Sequence, residues 1–412
     1  IPSGLLDGAY EEGGELDLYA EFAADYIVRR DPDGRWCEWN GSSYVNPLAG
    51  INDFVYDIKE APNGDIYVCG RFSSAGGVTG TNKIARWSKA NQAWEGLGVT
   101  NLTTQDFIIC MAFDANGDLY VGGKFINIAG VTGANYVAKY NIGTGAGTWS
   151  KVGSGISHPT SPYVSAIAIS PEGTIFIGGS FDTAGGSTNC NYIAYFDKTA
   201  DDWRPLSTGL DNIVFTLKFA PDGRLLIGGQ FMFADGENGD FICWWNGSAF
   251  KAFADLGATE LNGKVESIDI NPNGTIIIGG YFRGAGGDPK ADGIAAWRGN
   301  NWGSLMAGGV SNSSGLSLVS RIFCMSNGDI YVSGYFDRAG DLEVDRIVKS
   351  VSGVWQRLDI DLPESNVPVI GLLKASDGTL YLGGEFSTTI SGENAISGGA
   401  VDLNVSSGSA NT

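Results

Sequence analysis

The sequence predicts an all-β fold, a seven-bladed β-propeller of four-stranded antiparallel blades closed by N-terminal strands. Three observations carry that expectation. A stretch of the form "GDLYVGGKF" recurs seven times along the 412 residues. Glycine supplies 62 residues, about twice its usual share, while charged residues are only 17%. No window keeps an apolar stripe at helical period, because glycine interrupts each candidate, and abundant Val, Ile, Thr and aromatics favour strands.

The repeat sets the architecture. Length alone allows two or three domains or one large array. The turn glycines Gly64, Gly117, Gly173, Gly223, Gly274, Gly328 and Gly378 are separated by 53, 56, 50, 51, 54 and 50 residues, the length of a four-stranded blade. In one unit "DFIICMAFD" is the first strand, and the turn "ANGD" supplies the positive φ of a tight hairpin. "LYVGGKF" is the second strand, "INIAGVTGAN" a polar loop, "YVAKYN" the third strand and "GTWSKVG" the fourth. The other units repeat the last two strands as "KIARWSKANQAW", "YIAYFDKTADDW", "FICWWNGSAF", "GIAAWRGNNW" and "RIVKSVSGVW".

The ends complete the reading. The seventh unit continues past "TLYLGGEF" without an aromatic pair, although "AVDLNV" has the look of a third strand. "RWCEWNGSSYVNPLAG", residues 35–50, matches "ICWWNGSAFKAFADLG" of the fourth unit and is expected to complete the last blade. An open ring would leave two unpaired sheet edges, which invite aggregation. Residues 35–405 are therefore assigned to the propeller, residues 1–34 to an N-terminal extension or closing hairpin, and residues 406–412 to a flexible tail. Gly122 and Gly123 are expected to remove side chains where neighbouring sheets approach closely.

The strand ending in two glycines, the aromatic-bearing strand and the following Trp resemble the kelch repeat. The fuller pattern "LYVGGKF..AG......IARW....W..LG" is similar to the glycine-rich propeller repeats of Rax2-type cortical-marker proteins and many bacterial surface proteins. The resemblance covers residues 35–405. It departs at Ser333 and Ser350 in the sixth unit and at the missing final Trp of the seventh. It implies extracellular or cell-surface scaffolding and binding, and it brings no catalytic residues.

Composition excludes some partners. With 46 acidic against 26 basic residues and a formal charge of −20, the chain has no basic footprint for nucleic acid or anionic lipid. No apolar run reaches the length of a membrane span, so no membrane insertion is expected. Of six cysteines, Cys37, Cys69, Cys110, Cys243 and Cys324 lie in apolar strand-like segments and are expected to be buried thiols. Cys190, in "STNCNY", lies in a loop and is expected to be exposed.

Catalytic chemistry finds little footing. The single histidine, His158, precedes a proline in a connecting loop and reads as a turn residue. One histidine leaves no multi-His metal site and no copper centre of the galactose-oxidase type. "GTGAGTW" lacks the Ser and Asp of a sialidase Asp-box, and "DANGD" lacks the terminal Glu of a calcium loop, so the latter is a hairpin. Asp106, Asp211, Glu260 and Glu266 lie near blade connections without marking a carboxylate pair. Sequons at Asn40, Asn101, Asn246, Asn273, Asn312 and Asn404 partly coincide with Asn-Gly turns. The recurrent Trp87, Trp94, Trp149, Trp203, Trp297, Trp302 and Trp355 are read as inter-blade packing.

The expectation is thus a non-enzymatic extracellular binding or scaffolding propeller, at a cell surface or in a phage tail or virion. No catalytic, cofactor-binding or metal-binding residue is assigned, and no cofactor is expected. Partners are a protein or glycan on the loop face, or neighbouring subunits of a larger assembly. The recognition segments are the variable loops "SSAGGVTGTNK", "MFADGENGD", "RGAGGDPKADG", "DRAGDLEVD" and "VSNSSGLSLVS". The alternatives are a glycan-acting enzyme using acidic loop residues and a lectin-like module.

Overall fold

The computed structural model describes residues 51–143, 147–158, 160–259, 261–305, 308–313, 315, 317–358, 368–376, 379–384 and 400–404. Six four-stranded antiparallel sheets follow one another, at 55–96, 107–151, 163–205, 214–252, 265–303 and 318–356. A seventh, at 369–404, has three strands among the described residues, and its third is Ala400–Asn404, paired with Thr379–Gly384. The only helical elements described are three short 3-10 turns. In sheet 2 the strands are Phe107–Phe113, Leu119–Lys124, Val137–Asn141 and Thr148–Lys151, as the sequence expects. The expected closing segment, residues 35–50, lies outside the described residues, as do residues 1–34 and 406–412.

The sheets pack face to face, and each interface is a core of its own. Ile108, Met111 and Val121 of sheet 2 pack with Tyr67, Cys69 and Ile84 of sheet 1. Val164, Ile177 and Trp203 of sheet 3 pack with Cys110 and Val137 of sheet 2. Leu373 and Tyr381 of sheet 7 share a core with Val55, Ile58 and Val68 of sheet 1. Such successive antiparallel sheets, each buried against the next, make a β-propeller.

The double glycine has two separate causes. Every first strand carries a β-bulge near its start, between Ile108 and Cys110 in sheet 2 and Val164 and Ala166 in sheet 3. The second glycine of each pair faces that bulge. A Cβ on Gly123 would stand 2.2 Å from the Phe107 carbonyl oxygen, and one on Gly179 2.2 Å from that of Tyr163. The first glycine faces the next sheet. A Cβ on Gly122 would stand 2.6 Å from Val164 Cγ1, one on Gly178 2.4 Å from Val214 Cγ1, and one on Gly383 2.7 Å from Val55 Cγ1. The expectation of close sheet approach therefore holds for Gly122, whereas Gly123 answers a constraint inside its own sheet. Sheet 6 replaces the first glycine with Ser333, fully buried, and still pairs through all four strands.

The bulge is matched by strain on the third strand. The residue just before it has positive φ in six sheets: Lys83 (66°), Tyr136 (62°), Tyr192 (64°), Phe241 (65°), Gly293 (69°) and Arg346 (62°). Left-handed backbone is costly for the five of these that carry a side chain. Two hydrogen bonds hold it: Tyr136 N donates to the Phe125 carbonyl at 2.9 Å, and Gly123 N donates to the Tyr136 carbonyl at 2.9 Å. Phe125, the aromatic of "GGKF", is fully buried beneath this kink.

Fourth-strand tryptophans hook successive sheets together. Trp149 Nε1 donates to the Leu97 carbonyl at 2.7 Å, Trp203 Nε1 to Val152 at 3.0 Å and Trp355 Nε1 to Gly308 at 3.2 Å. In each case the acceptor follows the fourth strand of the preceding sheet, as inter-blade packing requires. Trp94 of sheet 1 is buried, and its Nε1 has no acceptor among the described residues.

Candidate functional site

In an antiparallel sheet built this way, second-to-third-strand loops and inter-sheet connections emerge at one end, and the two hairpin turns at the other. The loop end is the candidate recognition surface. Its loops are fastened by short polar side chains. Asn52 Oδ1 accepts from Ser73 N and Ser74 N, both at 3.0 Å. Asp211 Oδ1 accepts from Met232 N at 2.9 Å and Phe233 N at 3.0 Å. Asn262 clamps Arg283 from both sides, accepting from its N at 2.9 Å and donating to its carbonyl at 2.8 Å. In all three sheets the clamped backbone follows the buried Phe of the repeat, so the clamp fixes where each loop departs.

A second set of carboxylates ties loops to neighbouring connections. Asp235 accepts from Thr208 Oγ1 at 2.6 Å, and Asp288 from Ser304 N at 2.9 Å and Ser304 Oγ at 2.7 Å. The Thr208 hydroxyl holds the Asp235 carboxyl below its usual range, and the Ser304 backbone N–H does the same for Asp288. Among the described residues, every carboxyl whose titration departs from the ordinary is lowered, including Asp53, Glu95, Asp202, Asp222 and Asp337.

The sequence-derived candidates fall into structural roles. Asp106 accepts from Thr103 N and Oγ1 at 2.7 Å, Asp211 is a loop clamp, and Glu266 pairs with Lys264 at 2.6 Å. Glu260 lies outside the described residues. His158 Nδ1 accepts from Thr160 N at 3.2 Å, which makes it a turn residue as expected. Asp114 Oδ1 caps Asn116 N and Asp118 N across the expected hairpin. Cys190 corrects its expectation: it is fully buried, with Sγ 3.6 Å from the Ala184 carbonyl. Its loop folds back, pairing Thr183–Ala184 with Ile156–Ser157 and pressing the thiol into the core between sheets 2 and 3. Cys69, Cys110 and Cys243 are buried, Cys324 is partly buried, and Cys37 lies outside the described residues.

Two features escaped sequence reasoning. Lys83 and Arg346 occupy the left-handed position before the third strand and are buried, with Lys83 Nζ donating to the Arg71 carbonyl at 2.6 Å. Burial draws the Lys83 ammonium below its usual range, against Asp53 and Asp106 nearby. The second feature is the distribution of exposed apolar side chains. Val78, Ile126, Met232, Phe233, Leu256 and Tyr281 all belong to the loop end, and among the described residues Val354 alone of the large exposed apolar side chains does not. Met232 and Phe233 are 53% and 49% exposed on a loop that Asp211 holds in place.

Comparison with known families places this geometry. Residues 158–322 match the Rax2 C-terminal beta propeller domain. The Rax2-type resemblance read from the repeats thus holds in the middle of the chain. A kelch-specific likeness is not part of that match. Among curated proteins no sequence match is found. Solved structures of similar fold include the extracellular domain of a BT4673 protein from B. thetaiotaomicron, 10% identical over 85% of this chain, with a TM-score of 0.51. This chain spans 40% of that protein's length. YCF48 bound to D1 peptide is 14% identical over 89% of this chain and 98% of its own, with a TM-score of 0.51. The WD40 beta propeller domain of Doa1 is 14% identical over 86% of this chain and 94% of its own, also at 0.51. At these identities the likeness is one of fold. No helix among the described residues is long and apolar enough to cross a membrane.

Proposed function

We propose that the protein is a non-enzymatic, extracellular binding propeller whose loop end receives a protein partner, as a surface-attachment or virion module. The observation that carries this reading is the gathering of exposed apolar side chains at one end of the molecule, with Met232 and Phe233 held on a fastened loop. Apolar anchors that a scaffold already immobilises lose little freedom on binding and form the centre of an interface. A peptide-bound propeller and an extracellular domain among the similar folds agree with it.

The same reading extends to architecture. Seven blades form the ring, residues 35–50 complete the seventh, residues 1–34 form an extension or closing hairpin, and residues 406–412 a tail. Support comes from Trp94, whose N–H lacks, among the described residues, the carbonyl that Trp149 and Trp203 find after the preceding fourth strand. Leu48 of "NPLAG" is the counterpart of Leu97 in "EGLG".

The binding reading is tested by panning a displayed peptide library on the full chain, with a glycan array in parallel. Selected peptides are expected to lose binding to Met232→Ser/Phe233→Ser. Glycan binding untouched by that double variant, or glycan turnover abolished by alanine at Asp211 or Asp235, would overturn it.

A further inference from the structure

Asn-Gly pairs recur through the hairpins, and the structure treats one of them differently. Conversion of such a pair begins when the glycine main-chain nitrogen attacks the asparagine Cγ. That attack needs a polarised side-chain carbonyl, a free glycine N–H and an unheld amide. At Asn63, Asn116, Asn273 and Asn327 the following glycine N–H is already donated, to Ala61, Asp114, Asn271 and Met325 carbonyls at 2.8, 2.9, 2.7 and 2.9 Å. Gly239 N, after Asn238, donates to the Met232 carbonyl at 2.6 Å. The Asn262 amide is clamped on Arg283.

Asn246 meets all three needs. Its Oδ1 accepts three hydrogen bonds, from Ser248 N and Ser248 Oγ at 3.0 Å and from Ala249 N at 2.9 Å. Neither its Nδ2 nor the Gly247 N–H is donated to another described group. The pair is exposed, Gly247 has φ +96°, and no atom stands within 4 Å of the place its Cβ would take. Three donors on one oxygen withdraw charge as an oxyanion hole does and stabilise the tetrahedral intermediate.

We propose that Asn246 is a site of spontaneous conversion to isoaspartate, set apart from the other described pairs by this turn. Gly247 N bonds to Asn246 Cγ, the Cγ–Nδ2 bond breaks, and the glycine proton leaves with ammonia. Water then opens the five-membered imide to isoaspartate or aspartate. The overall change is asparagine plus water to an acid plus ammonia, with no oxidant or reductant. The product adds one negative charge and reroutes the backbone in the turn joining Ile242–Trp245 to Phe250–Ala252. That turn lies at the end opposite the loops, so the change marks the age of the molecule without touching the recognition surface.

The test is incubation of the full chain in mildly alkaline buffer made with ¹⁸O water, followed by digestion and peptide mass spectrometry. The Asn246 peptide is expected to take up label about tenfold faster than those holding Asn63 or Asn273, the scale of a modest oxyanion effect. Ser248→Ala, which removes one donor, is expected to slow it severalfold. In denaturant the ranking is expected to collapse. Label uptake at Asn246 no faster than at Asn63 or Asn273 would overturn the proposal, as would an unchanged rate in Ser248→Ala or a ranking that survives denaturation.

Discussion

The junction between sheets 2 and 3 and the junction between sheets 7 and 1 are alike on the inside and different on the outside. Near the first strands, Gly122 makes room for Val164 and Gly383 makes room for Val55, with a missing Cβ 2.6 and 2.7 Å from the valine. At the fourth strands, Trp203 Nε1 is bonded to the Val152 carbonyl, while Trp94 Nε1 has no partner among the described residues. Inner contact thus needs only what each sheet brings, whereas the outer hook needs a carbonyl lying beyond the previous sheet's last strand.

The largest expected effect leaves both junctions and attacks a single sheet. Gly70→Ala and Gly179→Ala would each push a Cβ into a carbonyl of the same sheet, 1.9 and 2.2 Å away. Backbone pinned in a ladder cannot yield as a side chain does, so each is expected to cost more than about 3 kcal/mol, read from chemical denaturation. Equal losses in sheets 1 and 3 would show that the bulge is independent of the junction. A mild loss in either would mean that its first strand can straighten.

Next comes the inner contact itself. Gly122→Ala and Gly383→Ala are expected to cost about 1–3 kcal/mol each, and Val164→Ala and Val55→Ala respectively to restore part of it. The sheet 7 to sheet 1 pair rescuing like the sheet 2 to sheet 3 pair would establish the same close approach in solution. Absence of coupling at Gly383 alone, in a double-mutant cycle, would break the likeness.

How much of this was legible follows from which constraints are local. The repeat, its strands and the hairpin at Asp114 could be read because alternation and turn chemistry act within a few residues. The inter-sheet role of Trp149 and Trp203 could be read because they recur in one place. The left-handed Lys83, Tyr136 and Arg346 could not, since no residue type marks that position and two tertiary hydrogen bonds impose its backbone. Cys190 misled for a similar reason: its neighbours are polar, yet a two-residue bridge elsewhere folds the loop over it. The loop clamps at Asn52, Asp211 and Asn262 carry no local signature, because the backbone N–H groups they hold belong to another segment of the chain.

The outer hook gives a smaller and more selective prediction. Trp203→Phe is expected to cost about 1–3 kcal/mol, from the lost hydrogen bond and the Val152 carbonyl left buried. Trp94→Phe is expected to cost a similar amount in the full chain and markedly less in a chain beginning at residue 51. Equal costs in the two backgrounds would show that residues 1–50 supply no acceptor to Trp94.

The smallest effect concerns acid. Asp288 has its folded-state carboxyl lowered, chiefly by the Ser304 backbone N–H. The sign follows from that direction: the unfolded chain takes up the proton first, so the tie contributes fully above the ordinary aspartate range near pH 4 and fades as pH falls through the lower folded value. Asp288→Asn is expected to lower stability slightly above that range and to leave strongly acid pH unchanged, so the acid limb flattens; the effect is small because the group is only partly buried and its charge is screened. Hydrogen exchange at the Ser304 amide, measured while acidifying, reports the same event locally. Exchange there that quickens only together with the Trp203 indole would assign the change to sheet unfolding. Exchange that quickens first would place the acid-sensitive step at the loop end, where the proposed partner binds, and leave both junctions intact.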